Sequence, residues 1–206
     1  PSREATSAVD PYGARVTQTE VLDRAQEILQ YKFKDIAGLC TALTHASVAD
    51  SRVESNERLE FLGDSILGVV VCEELYHRFP TYLEGEMTKL KSVVVSRKVC
   101  ARIADQIDLT PLMFLGKGMA GRDDVPMSLR AAVLESVIAG IFLDGGFDAA
   151  RDFILRNVGE YIDEADRSEH QDNHKSRLQQ YVQRVLSSTP HYEQLDEQGP
   201  DHSKCF

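Results

Sequence analysis

The sequence contains no tryptophan, only four cysteines, and only 23 lysines and arginines against 33 aspartates and glutamates. The cysteines (Cys40, Cys72, Cys100 and Cys205) lie far apart, with no Cys-x-x-Cys pair and no histidine at metal-ligand spacing, so neither a disulfide framework nor a zinc module is indicated. Three of them fall inside apolar helical patterns, where a thiol acts as a small buried hydrophobe. A reducing, cytoplasmic setting is therefore expected. No run approaches the ~18–20 apolar residues of a membrane span, and the polar stretch Pro1–Gly13 has no signal-peptide core. No membrane association is predicted. The shortage of base gives a net charge of −10 and a pI of about 5.1, which counts against a nucleic-acid partner, because phosphates are held by Lys and Arg. Totals do not govern local patches, however, and acid gathered for a metal site inflates them.

What is present is apolar periodicity. The 206 residues, 42% hydrophobic, exceed one ordinary domain of ~100–150 residues, so a main core with an appendage is expected. Thr17 and Glu20 have capping-box spacing before Val21, Leu22, Ala25, Ile28 and Leu29. Ile36, Leu39 and Leu43 form a second, short apolar face. Asn56 is a candidate N-cap for a helix running to Phe79 and stopped by Pro80. A fourth helix is predicted from Met87 to Ile107, another from Ser128 to Leu143, a turn at Asp144-Gly145-Gly146, and a last helix from Phe147 to Ile162.

Two anomalies stand out. On a helix starting at Glu57, residues 57, 60 and 64 share one face. Around them the helix is apolar on nearly every side, so it must be buried or packed on another subunit. In the helix predicted from Ser128 to Leu143, Glu135 is the one ionisable residue between Ala131 and Leu143. Burying carboxylates together costs several kcal/mol each unless something positive neutralises them. Two readings stand side by side. In one, Glu60, Asp64 and Glu135 surround a hard divalent cation, Mg²⁺ or Mn²⁺. In the other they are solvated, or paired with Arg58, Lys89 or Lys91. Gly63 and Gly68, unfavourable inside a helix, point to close approach of helices, one of them carrying Glu135.

The segment Asn56-Glu-Arg-Leu-Glu-Phe-Leu-Gly-Asp64-Ser-Ile-Leu67 resembles the ribonuclease III signature. Supporting likenesses are Leu43-Thr-His45-Ala-Ser47, Tyr76-His-Arg-Phe-Pro80, Glu84-Gly-Glu-Met87, Leu115-Gly-Lys-Gly118 and Glu135-Ser-Val-Ile-Ala-Gly-Ile-Phe-Leu-Asp144-Gly-Gly146. The resemblance implies an all-α, dimeric endonuclease domain that hydrolyses phosphodiesters of double-stranded RNA, leaving 5′-phosphate and 3′-hydroxyl ends, with a role in rRNA and other RNA processing. It implies Glu60, Asp64 and Glu135 as metal residues, Asp64 and Glu135 as catalytic, Glu57 and Glu84 as acids bordering the cleavage valley, and Phe61 as a dimer contact. For Phe61 the alternative is an ordinary core phenylalanine, and for His45 a satisfied hydrogen bond outweighs a ligand role. One departure matters: three residues before Glu135 the family carries a metal-site aspartate, and here Ala132 occupies that place. Water or Glu57 fills the gap, or activity is weakened. The alternative function is thus a catalytically weak or silent dimeric binder of double-stranded RNA.

From residue 163 the chain turns charged, a predicted linker over 164–172. Beyond it, His174-Lys-Ser-Arg-Leu-Gln179-Gln180-Tyr-Val-Gln183 and Gly199-Pro200-Asp201-His202 resemble the first half of a double-stranded-RNA-binding domain, an incomplete α+β module over 173–206. Such modules read A-form shape across minor grooves, which makes Gln179, Gln180 and His202 candidate RNA contacts. The expected organisation is a loosely attached or disordered 1–16, a nuclease domain over 17–163, the linker and the half-module.

Overall fold

The structure, a computed structural model, describes residues 8–9, 15–116, 125–186, 188 and 190, with backbone alone for 8–9, 15–16, 169–180 and 184. It divides into two compact units, Pro1–Ala165 and Asp166–Phe206. In the first segment, β1 (Ala8–Val9) pairs antiparallel with β2 (Arg15–Val16), Ala8 opposite Val16. All the other regular structure described is helical: α1 (Gln18–Leu29), α2 (Ile36–Leu43), α3 (Glu57–Arg78), α4 (Glu84–Val94), α5 (Arg97–Gln106) and α6 (Met127–Leu186), with 3₁₀ turns at Arg52–Glu54 and Thr110–Leu112. None of the described helices is long and apolar enough to cross a membrane.

The first unit is organised around α6, in which every residue from Ala131 to Ile141 is buried. Leu29, Leu39, Leu43, Leu67, Leu75, Leu90 and Ile103 from α1 to α5 join it in one core. The N-terminus of α1 forms as its spacing predicts: Thr17 Oγ1 accepts from Glu20 N at 3.3 Å, and Glu20 Oε2 accepts from Thr17 N at 2.7 Å.

Local chemistry departs from the sequence reading in four places. The helix expected over 87–107 is two helices, because Ser96 Oγ accepts from Val99 N (3.4 Å) and caps a new start. Asn56 holds the N-cap position of α3 as expected, but its side chain is buried and makes no capping bond, and Ser55 Oγ takes the Glu57 N–H instead. The turn expected at 144–146 narrows to Gly146, whose φ of 84° only glycine adopts freely. There the Asp144 carboxylate accepts from Tyr31 OH (2.6 Å), Lys34 N (3.0 Å) and Asp35 N (2.9 Å), tying α6 to the α1–α2 connection. Finally, helical backbone runs through 164–172, the expected linker, with the division between units inside it.

The two helical glycines of α3 behave differently. A Cβ on Gly63 would lie 1.7 Å from the Glu135 carbonyl oxygen, so α3 and α6 touch backbone to backbone. A Cβ on Gly68 would meet nothing nearer than the flexible Lys91 side chain at 3.8 Å, so close approach accounts for Gly63 alone. Gly63→Ala is expected to destabilise the fold by about 3 kcal/mol or more, because neither backbone can yield. Gly68→Ala is expected to stabilise it by roughly 0.5–1 kcal/mol through helix propensity. Urea unfolding of the two variants checks the pair, and similar midpoints would refute the contact.

Candidate active site

Glu135 is the hub. It is 8% exposed, set in a fully buried stretch of α6, with the Gly63 backbone of α3 against its own. From α5, the fully buried Cys100 thiol is within hydrogen-bonding reach of both Val95 O (3.8 Å) and the Glu135 carboxyl. Glu60, half-buried, lies nearly one turn before Gly63, and Asp64, exposed, immediately follows it. Burial, then Asp64, then Glu60 push the Glu135 carboxyl from its ordinary 4.5 up to about 7, against Arg97 and the Cys100 thiol, which pull it down. Burial also raises Glu60; Arg97 opposes the rise, and Glu57 and Asp64 add to it. The Cys100 thiol is pushed up to about 12, first by burial and then by Glu135 and Asp64. A buried carboxyl on α6 thus lies in the repulsive field of a half-buried and an exposed carboxyl on α3.

The other acids stand apart from this hub. Glu57 is held by Arg52 through Nη2 (2.6 Å) and Nε (3.1 Å), which lowers its pKa and takes up both its oxygens. Glu84 opens α4 exposed, and one carboxylate oxygen accepts from Thr88 Oγ1 at 2.8 Å. Ala132 is 5% exposed on α6, and its carbonyl accepts from Ser136 Oγ at 2.7 Å. Ser136 also donates to Asn56 O (3.2 Å), while Asn56 Nδ2 is buried without a partner. His45 hydrogen-bonds Ser47 through Nδ1 (2.9 Å), and its field reaches Glu57 and Glu60. Phe61 is no core residue: it is 79% exposed, on one stripe of α3 with Val69, Cys72 and Tyr76. Gln179 and Gln180 lie on described helical backbone, but their side chains and all of His202 fall outside the described residues.

Cys100 and Arg97 escaped sequence reasoning. Cys100 matches an apolar helical position, and nothing local marks Arg97, since the helix break that orients both was not foreseen. Among the described residues, no three His, Cys, Asp or Glu side chains converge closely enough to hold a metal ion as they stand. The donors gathered around Glu135 are nonetheless carboxylate oxygens that repel one another, a set that suits a hard divalent ion retaining several waters.

A buried glutamate is thus braced by two neighbouring helices and flanked by further carboxylates in a helical domain. The ribonuclease-III-like family model matches residues 36–162. Ribonuclease 3 of Rhodopirellula baltica is 46% identical over 197 residues, covering 96% of this chain and 73% of that protein. Ribonuclease 3 of Bdellovibrio bacteriovorus is 42% identical over 190 residues, covering 88% and 80%. The solved nuclease domain of ribonuclease III from Campylobacter jejuni superposes with a TM-score of 0.62 at 34% identity, covering 68% of this chain and 97% of that one. Dicer from Giardia intestinalis, 19% identical, shares the fold at a TM-score of 0.54 over 68% of this chain and 19% of that one. The chain belongs to the ribonuclease III family of endoribonucleases.

The raised Glu135 makes stability depend on pH in the metal-free protein. Its contribution is fully present below about pH 4.5, declines as the folded chain retains a proton the unfolded chain releases, and is gone above about pH 7. Between about pH 5 and about pH 8 the native sequence is expected to lose on the order of 2–3 kcal/mol more than Glu135→Gln, read from urea midpoints under chelator. Equal losses in both proteins would contradict the burial of this carboxyl.

Proposed function

We propose that the chain is a double-stranded-RNA-specific endoribonuclease that works as a homodimer and hydrolyses phosphodiesters to 5′-phosphate and 3′-hydroxyl ends, with structured precursors such as ribosomal RNA as substrates. The observation that carries this reading is the buried Glu135 of α6 packed at the Gly63 contact, with Glu60 and Asp64 of α3 on either side of that glycine. Glu60, Asp64 and Glu135 would hold a divalent ion, Mg²⁺ or Mn²⁺, with waters completing its shell. Such an ion, when bound, acidifies water and stabilises charge on a phosphoryl oxygen.

The chain's own residues supply the setting for that chemistry. Glu135 is oriented by the Gly63 contact and by Cys100, and its burial excludes bulk water from one side of the site. Asp64 and Glu60 present carboxylates on the open side. Glu57, fixed by Arg52, and Glu84 border the cleft as acids rather than as ligands. Ala132 leaves the donor set one carboxylate short of the family pattern, and the hardness and hydration of Mg²⁺ suit a site where water makes up the difference.

For the dimer, the support is the exposed stripe of α3, in which Phe61 is 79% exposed, Tyr76 67% and Val69 56%. A stripe of large apolar groups on one helix marks an interaction surface. The Campylobacter jejuni nuclease domain has been described with a region involved in dimer formation. Phe61→Asp is expected to turn a dimer into a monomer in sedimentation velocity at micromolar concentration; an unchanged dimer would remove Phe61 from the interface.

The function itself is tested by incubating a long RNA duplex with the protein and Mg²⁺ or Mn²⁺, then with chelator. Metal-dependent shortening is expected, and its absence with both ions would refute the nuclease reading. Glu135→Gln is expected to abolish cleavage, by about 10³-fold or more, with the circular dichroism of the fold unchanged. Ala132→Asp is expected to lower the Mg²⁺ concentration for half-maximal rate, and an unaltered requirement would show that position 132 does not face the ion.

A further inference from the structure

Seven of the arginines described in the first unit are engaged. Arg24 pairs with Glu27, Arg52 with Glu57, Arg78 with Asp163, Arg102 with Glu164, Arg130 with Asp105 and Arg151 with Glu73, and Arg156 donates to Leu29 O. Two further arginines, Arg58 and Arg97, are exposed with no hydrogen bond or ion pair found among the described residues, and of the two it is Arg97 whose field falls on the Glu135 hub. Arg97 is the first residue of α5, directly after the Ser96 cap, at the helix end where the backbone dipole disfavours a positive side chain. Lys98 follows it, so the first turn of α5 carries two cations and no acid.

Its position ties it to the hub. Cys100, one turn further along α5, is buried against Glu135, so residues 97 and 100 share a helix face and Arg97 stands at the open end of that face. The field of Arg97 falls on Glu60 of α3 and on Glu135 of α6. An exposed guanidinium whose field reaches Glu60 and Glu135, in a chain with a net charge of −10, supplies together with Lys98 a local positive potential at the edge of the acidic cluster. Its planar fork of N–H donors matches phosphate oxygens two at a time.

We propose that Arg97 is a phosphate-binding residue of the active site, gripping the RNA backbone from α5 and positioning it against the carboxylates of α3 and α6. This rests on the nuclease reading above and extends it, since it gives α5 a part in substrate binding. The residue acts on substrate, and it contributes charge and geometry rather than a proton.

The test compares the native chain with Arg97→Gln and Arg97→Lys. Neither substitution removes a hydrogen bond or ion pair among the described residues, so both are expected to fold; Arg97→Gln gives up the favourable field on Glu60 and Glu135, so its thermal midpoint is expected to fall modestly, while Arg97→Lys keeps the charge. Binding of a fluorescent RNA duplex under chelator, where nothing is cleaved, is followed by anisotropy over a series of salt concentrations. Arg97→Gln is expected to weaken binding about ten-fold and to lower the slope of log affinity against log salt by about 1, as loss of one phosphate contact does. Arg97→Lys should keep the slope and recover part of the affinity. With Mg²⁺ present, Arg97→Gln is expected to reduce kcat/KM for duplex cleavage about 10- to 100-fold, chiefly through KM. If Arg97 only neutralises its carboxylate neighbours, slope and KM stay unchanged while the Mg²⁺ requirement falls, and that outcome overturns the proposal. A native chain that never cleaves duplex would defeat the nuclease reading instead, and the salt slope would still decide on Arg97.

Discussion

The contact between Gly63 and the backbone of Glu135 is the constraint on which the rest of the site depends. With no side chain at position 63, α3 and α6 approach until a carbonyl of one helix fills the space a methyl group would need on the other. That closeness does two things at once. It seals α6, so that every residue from Ala131 to Ile141 is buried, and it brings the acidic face of α3 over the single carboxyl in that stretch. A wider spacing would let water reach Glu135 and dilute its repulsion with Asp64 and Glu60. The raised pKa of Glu135 is therefore a consequence of helix packing, before any ligand enters.

Such an arrangement works against stability, and the surrounding architecture offsets it. The hydrophobic core built by α1 to α6 is continuous around the acid cluster, and Asp144 knots α6 to the α1–α2 connection through hydrogen bonds from Tyr31, Lys34 and Asp35. The arginine pairs lie mostly at the surface, where each contributes about 0–1 kcal/mol. Their larger effect is on charge: they cancel acid away from the hub while Arg97 is left uncancelled beside it. The acidic total that argued against a phosphate-bearing partner is thus unevenly distributed. Overall charge describes the far field, and substrate meets the near one.

Much of this was legible from residues alone, for identifiable reasons. Thr17 and Glu20 announced α1 because a capping box depends on four consecutive residues and little else. Glu135 stood out because an ionisable group in an apolar helix is rare unless something uses it, and Gly63 because glycine weakens a helix interior without another benefit. Gly68 carried the same signal and has no backbone contact, since the penalty is visible in sequence and the neighbour that explains it is not. The Asn56 side chain was misread as a capping group because its residue type suits that role, whereas its backbone is bound to Thr44 and Ser136 and its side chain turned inward. The break at Ser96 lay within a strong apolar period, which conceals a cap. Missing that break hid α5, and with it the two residues, Cys100 and Arg97, that brace and flank Glu135.

Ala132 gains a physical meaning from the same packing. It precedes Glu135 by nearly one helical turn, is buried, and stands on the face of α6 that bears the Glu135 carboxyl. An aspartate there would add a fourth negative group to a cluster that already raises Glu135 to about 7, and without a cation it would drive that carboxyl higher and the fold lower. Alanine removes this penalty and leaves methyl-sized apolar packing in its place. The metal-free domain then closes around three carboxylates with Arg97 as the nearby positive charge, and folding does not have to wait for an ion. What is given up is one oxygen donor, the component most readily replaced by water in the shell of a small hard cation. On the proposed reading, alanine at position 132 would favour independent folding and a more hydrated ion while keeping Glu135, the group that the Gly63 contact buries.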